Sequence, residues 1–205
     1  MHEQVEQPRY NERADLEGVV ELLLSSMLGV SLSAATGFRV FVPFLVMSIA
    51  AQSGHLSLAQ GFSWIGTVPA LIMFAIASLL EVGAYYIPWI DELLDLIATP
   101  IAVVAGVITT ASVTGEMSPL FQWTLAIIAG GSAAGLVKGM TDVARLTSTA
   151  TTGGLANPLL ATMELGSSTV LSLLAIALPL FTGLLVIGVL VLAVTKLRNL
   201  LRRRA

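Results

Sequence analysis

The C-terminal stretch Pro179–Ala205 reads PLFTGLLVIGVLVLAVTKLRNLLRRRA. No charge occurs from Pro179 to Val194, and then Lys196, Arg198, Arg202, Arg203 and Arg204 follow within the last ten positions. Those five are half of the ten basic residues in the whole chain. An uncharged apolar run closed by a basic collar is how a helix leaves a bilayer on the cytoplasmic side. Upstream, Leu165–Pro179 is also free of charge, so Leu165–Val194 reads either as two spans or as one long tilted helix.

The rest of the chain agrees with that class. Its 205 residues are 56% hydrophobic and 11% charged, with a mean hydropathy of +0.88. A water-soluble domain carries about 25% charged residues. The length leaves room for about six spans of ~20 residues with short loops. The fold class is therefore an all-α, polytopic transmembrane helical bundle. Cysteine is absent, which excludes disulfides and thiolate chemistry, and His2 and His55 lie in a polar tail and a loop, which disfavours a histidine metal site. No phosphate-binding loop, serine-hydrolase elbow or zinc-protease motif occurs, so no catalytic residue, metal or cofactor is assigned and the chain is read as no enzyme. One short basic tail is no nucleic-acid surface; it suits anionic lipid, at about 1 kcal/mol per basic residue.

Residues 1–18 read as an acidic cytoplasmic tail rather than a secretory signal, because Glu3, Glu6, Glu12, Asp15 and Glu17 outnumber Arg9 and Arg13. Residues 19–195 form the transmembrane domain and 196–205 the basic cytoplasmic tail. The first apolar block, Val19–Ala51, is broken around Thr36-Gly37-Phe38-Arg39 and Pro43. Further spans are expected at Trp64–Tyr86, Ile97–Val113, Leu120–Val137, Leu155–Leu178 and Pro179–Val194, with Trp64, Tyr85 and Tyr86 as interfacial anchors. The two ambiguous blocks leave five or seven as alternatives to six. An even count with a basic tail inside places both termini in the cytoplasm.

Ser33-Ala34-Ala35-Thr36-Gly37-Phe38-Arg39 parallels Ser132-Ala133-Ala134-Gly135-Leu136-Val137-Lys138. Each half also has one glutamate in a later span, Glu81 and Glu164, ahead of Pro100 and Pro179. Repeats at 19–114 and 119–195, three spans each, would be inverted with broken helices, the plan of many transporters. Chance recurrence of small-residue motifs is the alternative.

A charge at a helix centre costs about 2.5–3.5 kcal/mol on insertion scales. Arg39, Glu81, Lys138, Asp142, Arg145 and Glu164 are therefore the candidate polar pathway. The competing reading is structural pairing, such as Arg39 with Glu81 or Arg145 with Glu164. Lys138, Asp142 and Arg145 share a helix face at i, i+4, i+7, so Asp142 can meet both cations. Pro88, Asp91 and Asp95 in Ile87–Asp95 form an acidic motif, either a cation or proton site or an interfacial helix with its acids in water. Thr147–Gly154 offers hydroxyls for a passage or forms a solvent loop.

Ile87-Pro88-Trp89-Ile90-Asp91 with Asp95, and Gly135-Leu136-Val137-Lys138 leading to Thr141 and Arg145, resemble the bacterial membrane family labelled domain of unknown function 4126. Asn157 and Glu164 fall where that family also tends to be polar, and the resemblance covers most of Leu22–Val194. Where the family often shows Arg-Pro this chain has Thr99-Pro100, and where it often shows Glu-Asp this chain has Glu164-Leu165. Charge pairing through those positions is not carried over. The resemblance implies an integral protein of the bacterial inner membrane. The functional expectation is a transporter or permease-like protein for a small solute or ion, compatible with a homodimer; the alternative is a membrane scaffold without substrate.

Overall fold

A computed structural model describes the backbone of residues 7–86 and 88–202, with side chains at 16–86, 97–196, 198, 199 and 202. Every regular element among the described residues is helical. They are α1 (Gln7–Phe38), α2 (Phe41–Gln52), a 3-10 segment (Gln60–Gly66), α3 (Val68–Ala84), α4 (Pro88–Val113), α5 (Pro119–Leu125), a π-helical segment (Ala126–Gly131), α6 (Ser132–Thr152), α7 (Asn157–Ala177) and α8 (Pro179–Arg202). Prolines open several of them, at Pro69, Pro119, Pro158 and Pro179, where the missing N–H costs nothing. Thr67 caps α3 by accepting the Ala70 N–H at 3.4 Å. Gly153, at φ 65°, takes the left-handed conformation that ends α6.

Among the described residues, four helices are long and apolar enough to cross a membrane: Leu16–Phe38, the continuous Pro119–Thr152, Asn157–Ala177 and Pro179–Lys196. The 3-10 segment and α3, bent by 65°, make a fifth if counted as one span. α2 and Ile97–Val113 are apolar but shorter. The count of long helices is thus four to five. The Thr-rich run after Lys138 is no loop. Thr147 and Thr151 donate to the carbonyls of Val143 and Thr147, one turn back, and continue the helix to Thr152.

The bundle is polar inside and apolar outside. Leu79, Leu80, Leu159, Met163, Leu184 and Leu192 point outward, while Ser31, Ser33, Thr109, Thr110, Ser168 and Ser172 are buried. Lipid tails give no hydrophobic drive for helix association, so small and hydroxyl residues mediate it. α1 runs through the middle, packed on α4, α6, α7 and α8. Ser33 Oγ donates to Gly106 O at 2.6 Å and lies 3.0 and 2.7 Å from the hydroxyls of Thr109 and Thr110. A Cβ on Gly106 would lie 2.8 Å from Gly130 O, so α4 and the π-helical segment touch backbone to backbone. An aromatic and aliphatic cluster (Leu32, Phe44, Met47, Ile65, Phe74) closes the α2–α3 side, with the Phe44 and Phe74 rings stacked at 5.2 Å.

Directions follow from these contacts. Gly29 and Ser33 meet Thr110 and Gly106, so α4 is antiparallel to α1. Thr99 meets Asp142, and Gly106 meets Gly130 and Ala134, so α4 is antiparallel to α6 as well. α1 and α6 therefore run in the same sense. The likeness of Ser33–Arg39 to Ser132–Lys138 relates two parallel helices, the opposite of what an inverted repeat anchored there requires. Gly183 packs on Met27, while Leu190 and Phe38 line one crevice, so α8 is also parallel to α1. First and last helices of the same sense leave the bundle at opposite ends. This departs from the expected even count with both termini on one face. The cause is α2, a short return segment created by the break after Phe38.

Candidate functional site

The break between α1 and α2 places the charges. α1 ends as the Arg39 N–H reaches Ala35 O at 3.2 Å. No side chain of residue 40 can cap α2, because it is valine. Glu81, from the last turn of α3, supplies the cap: the Val40 N–H donates to Oε1 at 2.7 Å and the Phe41 N–H to Oε2 at 3.0 Å. A carboxylate at a helix N-terminus meets both unsatisfied amides and the positive end of the dipole.

Arg39 turns the other way. Its guanidinium is 1% exposed, donates from Nη2 to Ala161 O at 3.0 Å and lies 3.2 Å from Glu164 Oε2. Arg145 grips the same carboxylate with a fork, Nε to Oε1 at 2.9 Å and Nη2 to Oε2 at 2.5 Å. Both guanidinium carbons sit over the Tyr85 ring, at 3.9 Å for Arg39 and 4.4 Å for Arg145. One buried acid and one aromatic face thus hold two arginines that would otherwise repel. Lys138 Nζ lies 2.7 Å from Asp142 Oδ1, one turn apart on α6, and Thr99 donates to Asp142 Oδ2 at 3.0 Å. Glu81 is within electrostatic reach of Arg39 and Lys138.

All six intramembrane charges singled out from the sequence therefore converge, three cations and three acids, formally neutral. Of the two expected pairings, Arg145 with Glu164 forms. Arg39 joins that pair, and Glu81 caps α2 instead of being Arg39's partner. Arg39 Nε and Nη1 are buried with no hydrogen-bond partner. Tyr85, read from sequence as an interfacial anchor, is 6% exposed and forms the platform of the cluster. The side chains of Pro88, Asp91 and Asp95 lie outside the described residues. Among the described residues no group of three His, Cys, Asp or Glu side chains has metal-site geometry.

The cluster has a defined depth. Phe38, next to Arg39, lines a crevice with Leu190, and Lys196 follows six residues later on α8. At 1.5 Å per residue, the break lies about 9 Å inside the basic collar.

A family described as Domain of unknown function (DUF4126) matches residues 26–199. The chain belongs to this family. No curated protein and no solved structure matches it. All six charges, Tyr85 and the helix break lie within the DUF4126 span. At Thr99, where the resemblance implies an arginine, a neutral hydroxyl donates to Asp142, whose carboxylate also lies against Lys138.

Proposed function

We propose that this DUF4126 protein is a small membrane transporter whose solute or ion passes the charge cluster at the α1–α2 break. One observation carries the reading: Arg39, almost completely buried, keeps donors on Nε and Nη1 without acceptors at an interrupted helix. Buried polar groups are normally satisfied, and an unmet donor in a native interior calls for a role. Interrupted helices inside membranes occur where backbone lines a passage or is buried in protein. The charges of Lys196, Arg198 and Arg202 favour a cytoplasmic end for α8. Every described Lys or Arg side chain, including those of Arg39, Lys138 and Arg145, then lies toward that face, while Glu17, Glu21 and Glu116 line a cavity at the other. The tail also contacts anionic lipid in this reading.

A second reading, a scaffold without substrate, has its own support. The cluster is formally neutral, and α4 packs on the π-helical segment without space for a Cβ. Single cysteines separate the two readings in this cysteine-free chain. Thr141→Cys and Thr99→Cys, beside the cluster, are exposed to an impermeant thiol reagent from each side, with His55→Cys as loop control. Labelling at the cluster supports transport. A reacting control with silent cluster positions refutes a water-filled pathway and leaves the scaffold.

A further inference from the structure

A groove opens beside α8 as that helix approaches the basic collar. At the far end α8 packs tightly: a Cβ on Gly183 would lie 2.6 Å from Met27 of α1. Nearer the collar there is space, and a Cβ on Gly139 of α6 would meet nothing within 4 Å. Two crevices occupy this side of the bundle. One of about 260 Å³ lies between α7 and α8, with Ala34 and Phe38 of α1 at its floor. The other, about 490 Å³, lies between α6 and α8, lined by Gly135, Gly139, Val143, Ala193 and Val194. Met140 and Leu190 line both, so the two join into one groove. It follows α8 from Leu185 to Val194, about 14 Å at 1.5 Å per residue. One leaflet, half of a ~30 Å hydrocarbon core, is about as deep.

Apolar walls give water no partner, so in a bilayer such a groove holds hydrocarbon. Its mouth is charged. Lys196 follows Val194 by two residues, and Arg198 stands one turn beyond Val194 on the same side of α8. Both side chains are exposed, and their stems can lie along hydrocarbon while the charge stays among headgroups. We propose that the groove is a binding site for an anionic phospholipid of the cytoplasmic leaflet. One acyl chain lies along α8 from Val194 down to Leu185, and the headgroup meets Lys196 and Arg198. The inference rests on the tail's contact with anionic lipid and gives that contact a defined seat. Charge complementarity selects the occupant. A second copy docked through its own α8 would set cation against cation at the mouth, whereas an anionic phospholipid supplies both the apolar chain and the negative charge. The chain reaches Phe38, the residue before Arg39.

Filling the groove tests the idea. The full chain, purified in mild detergent, is titrated with phosphatidylglycerol or phosphatidylcholine carrying the same oleoyl chains, and thermal midpoints are followed. The wild type should show a saturable rise with phosphatidylglycerol at lower lipid concentration than with phosphatidylcholine. Glycerol phosphate, a headgroup without chains, should give none. Gly139→Leu places a side chain where no atom stands within 4 Å. It should melt as the wild type without lipid and lose the phosphatidylglycerol response. Lys196→Gln/Arg198→Gln should weaken the apparent phosphatidylglycerol affinity by about 25-fold, fivefold per charge, and leave phosphatidylcholine unaffected. A full phosphatidylglycerol preference in Gly139→Leu would overturn the groove and leave only a charged tail. Equal responses to both lipids in the wild type would refute the tail contact as well. A wild-type dimer that Gly139→Leu converts to monomer would assign the groove to a second copy and overturn the proposal. Unchanged affinity in Lys196→Gln/Arg198→Gln overturns it however Gly139→Leu folds. None of these melts depends on flux, so they succeed or fail apart from the transport reading.

Discussion

Glu164→Gln tests the charge cluster at the acid that two arginines share. The substitution keeps the shape of the side chain and removes the charge that joins Arg39 to Arg145. The two guanidinium groups are 1% and 3% exposed, so water cannot take over the lost role. They would then share the Tyr85 ring, at 3.9 and 4.4 Å, with no acid between them. Removing one partner of a buried ion pair typically costs about 3–5 kcal/mol. At ~2–4 °C per kcal/mol for a chain of this size, the midpoint should fall by about 6–20 °C. The assay is heat challenge in mild detergent followed by gel filtration of the surviving monodisperse fraction, with exposed Met163→Leu as control. Arg145→Gln alone should cost a similar amount. The Arg145→Gln/Glu164→Gln double variant should lose less than the sum, because the second change no longer strands a charge. A Glu164→Gln midpoint within about 3 °C of wild type, near 1 kcal/mol on the same scale, would refute the view that this acid holds the cluster together.

Helix contacts give further expectations. Gly106→Val places side-chain atoms where Ala134 Cβ and Gly130 O already stand, and overpacking of this kind costs about 1–3 kcal/mol; Gly139→Ala, with open space around it, should be neutral in the same melt. Ser33→Ala removes a hydroxyl that bridges α1 to α4. Thr109 retains the Ala105 and Gly106 carbonyls, so the loss should stay near the ~0.6 kcal/mol average for interhelical hydrogen bonds in membranes. Because α1 and α8 are parallel, epitope tags at the two chain ends should be reached from opposite faces of sealed vesicles. Both tags protected on one side would overturn that arrangement.

The sequence made the membrane class and the membership of the cluster legible for one physical reason. Charge is so costly in hydrocarbon that each intramembrane charged residue needs a polar neighbour, and few were available. It did not make the pairing legible. Helical spacing relates Lys138 to Asp142 on one helix, and that contact formed. Arg39, Glu81 and Glu164 sit on three helices, and which acid meets Arg39 depends on where α2 begins. The absence of a capping side chain at Val40 is a signal in the sequence, and it accounts for Glu81. A helix that starts at a valine inside a bilayer needs a cap from elsewhere, and Glu81 is the acid of the helix hairpin that follows.

Tyr85 and the direction of the helices were hidden for different reasons. A tyrosine at the end of an apolar run has the same pattern whether it faces headgroups or lies under two arginines; only the fold, which ends α3 against the α1–α2 break, separates the cases. Direction depends on parity, and parity turns on a 12-residue segment. At 1.5 Å per residue α2 is about 18 Å long, well short of a ~30 Å hydrocarbon core. Span-length rules therefore absorb it into the block before it, yet it reverses the chain once. That same shortness lets α2 begin at cluster depth instead of at a membrane face. The feature that spoils the span count is thus the one that brings two backbone amides to Glu81, and a residue inserted into the break should disturb topology and site together.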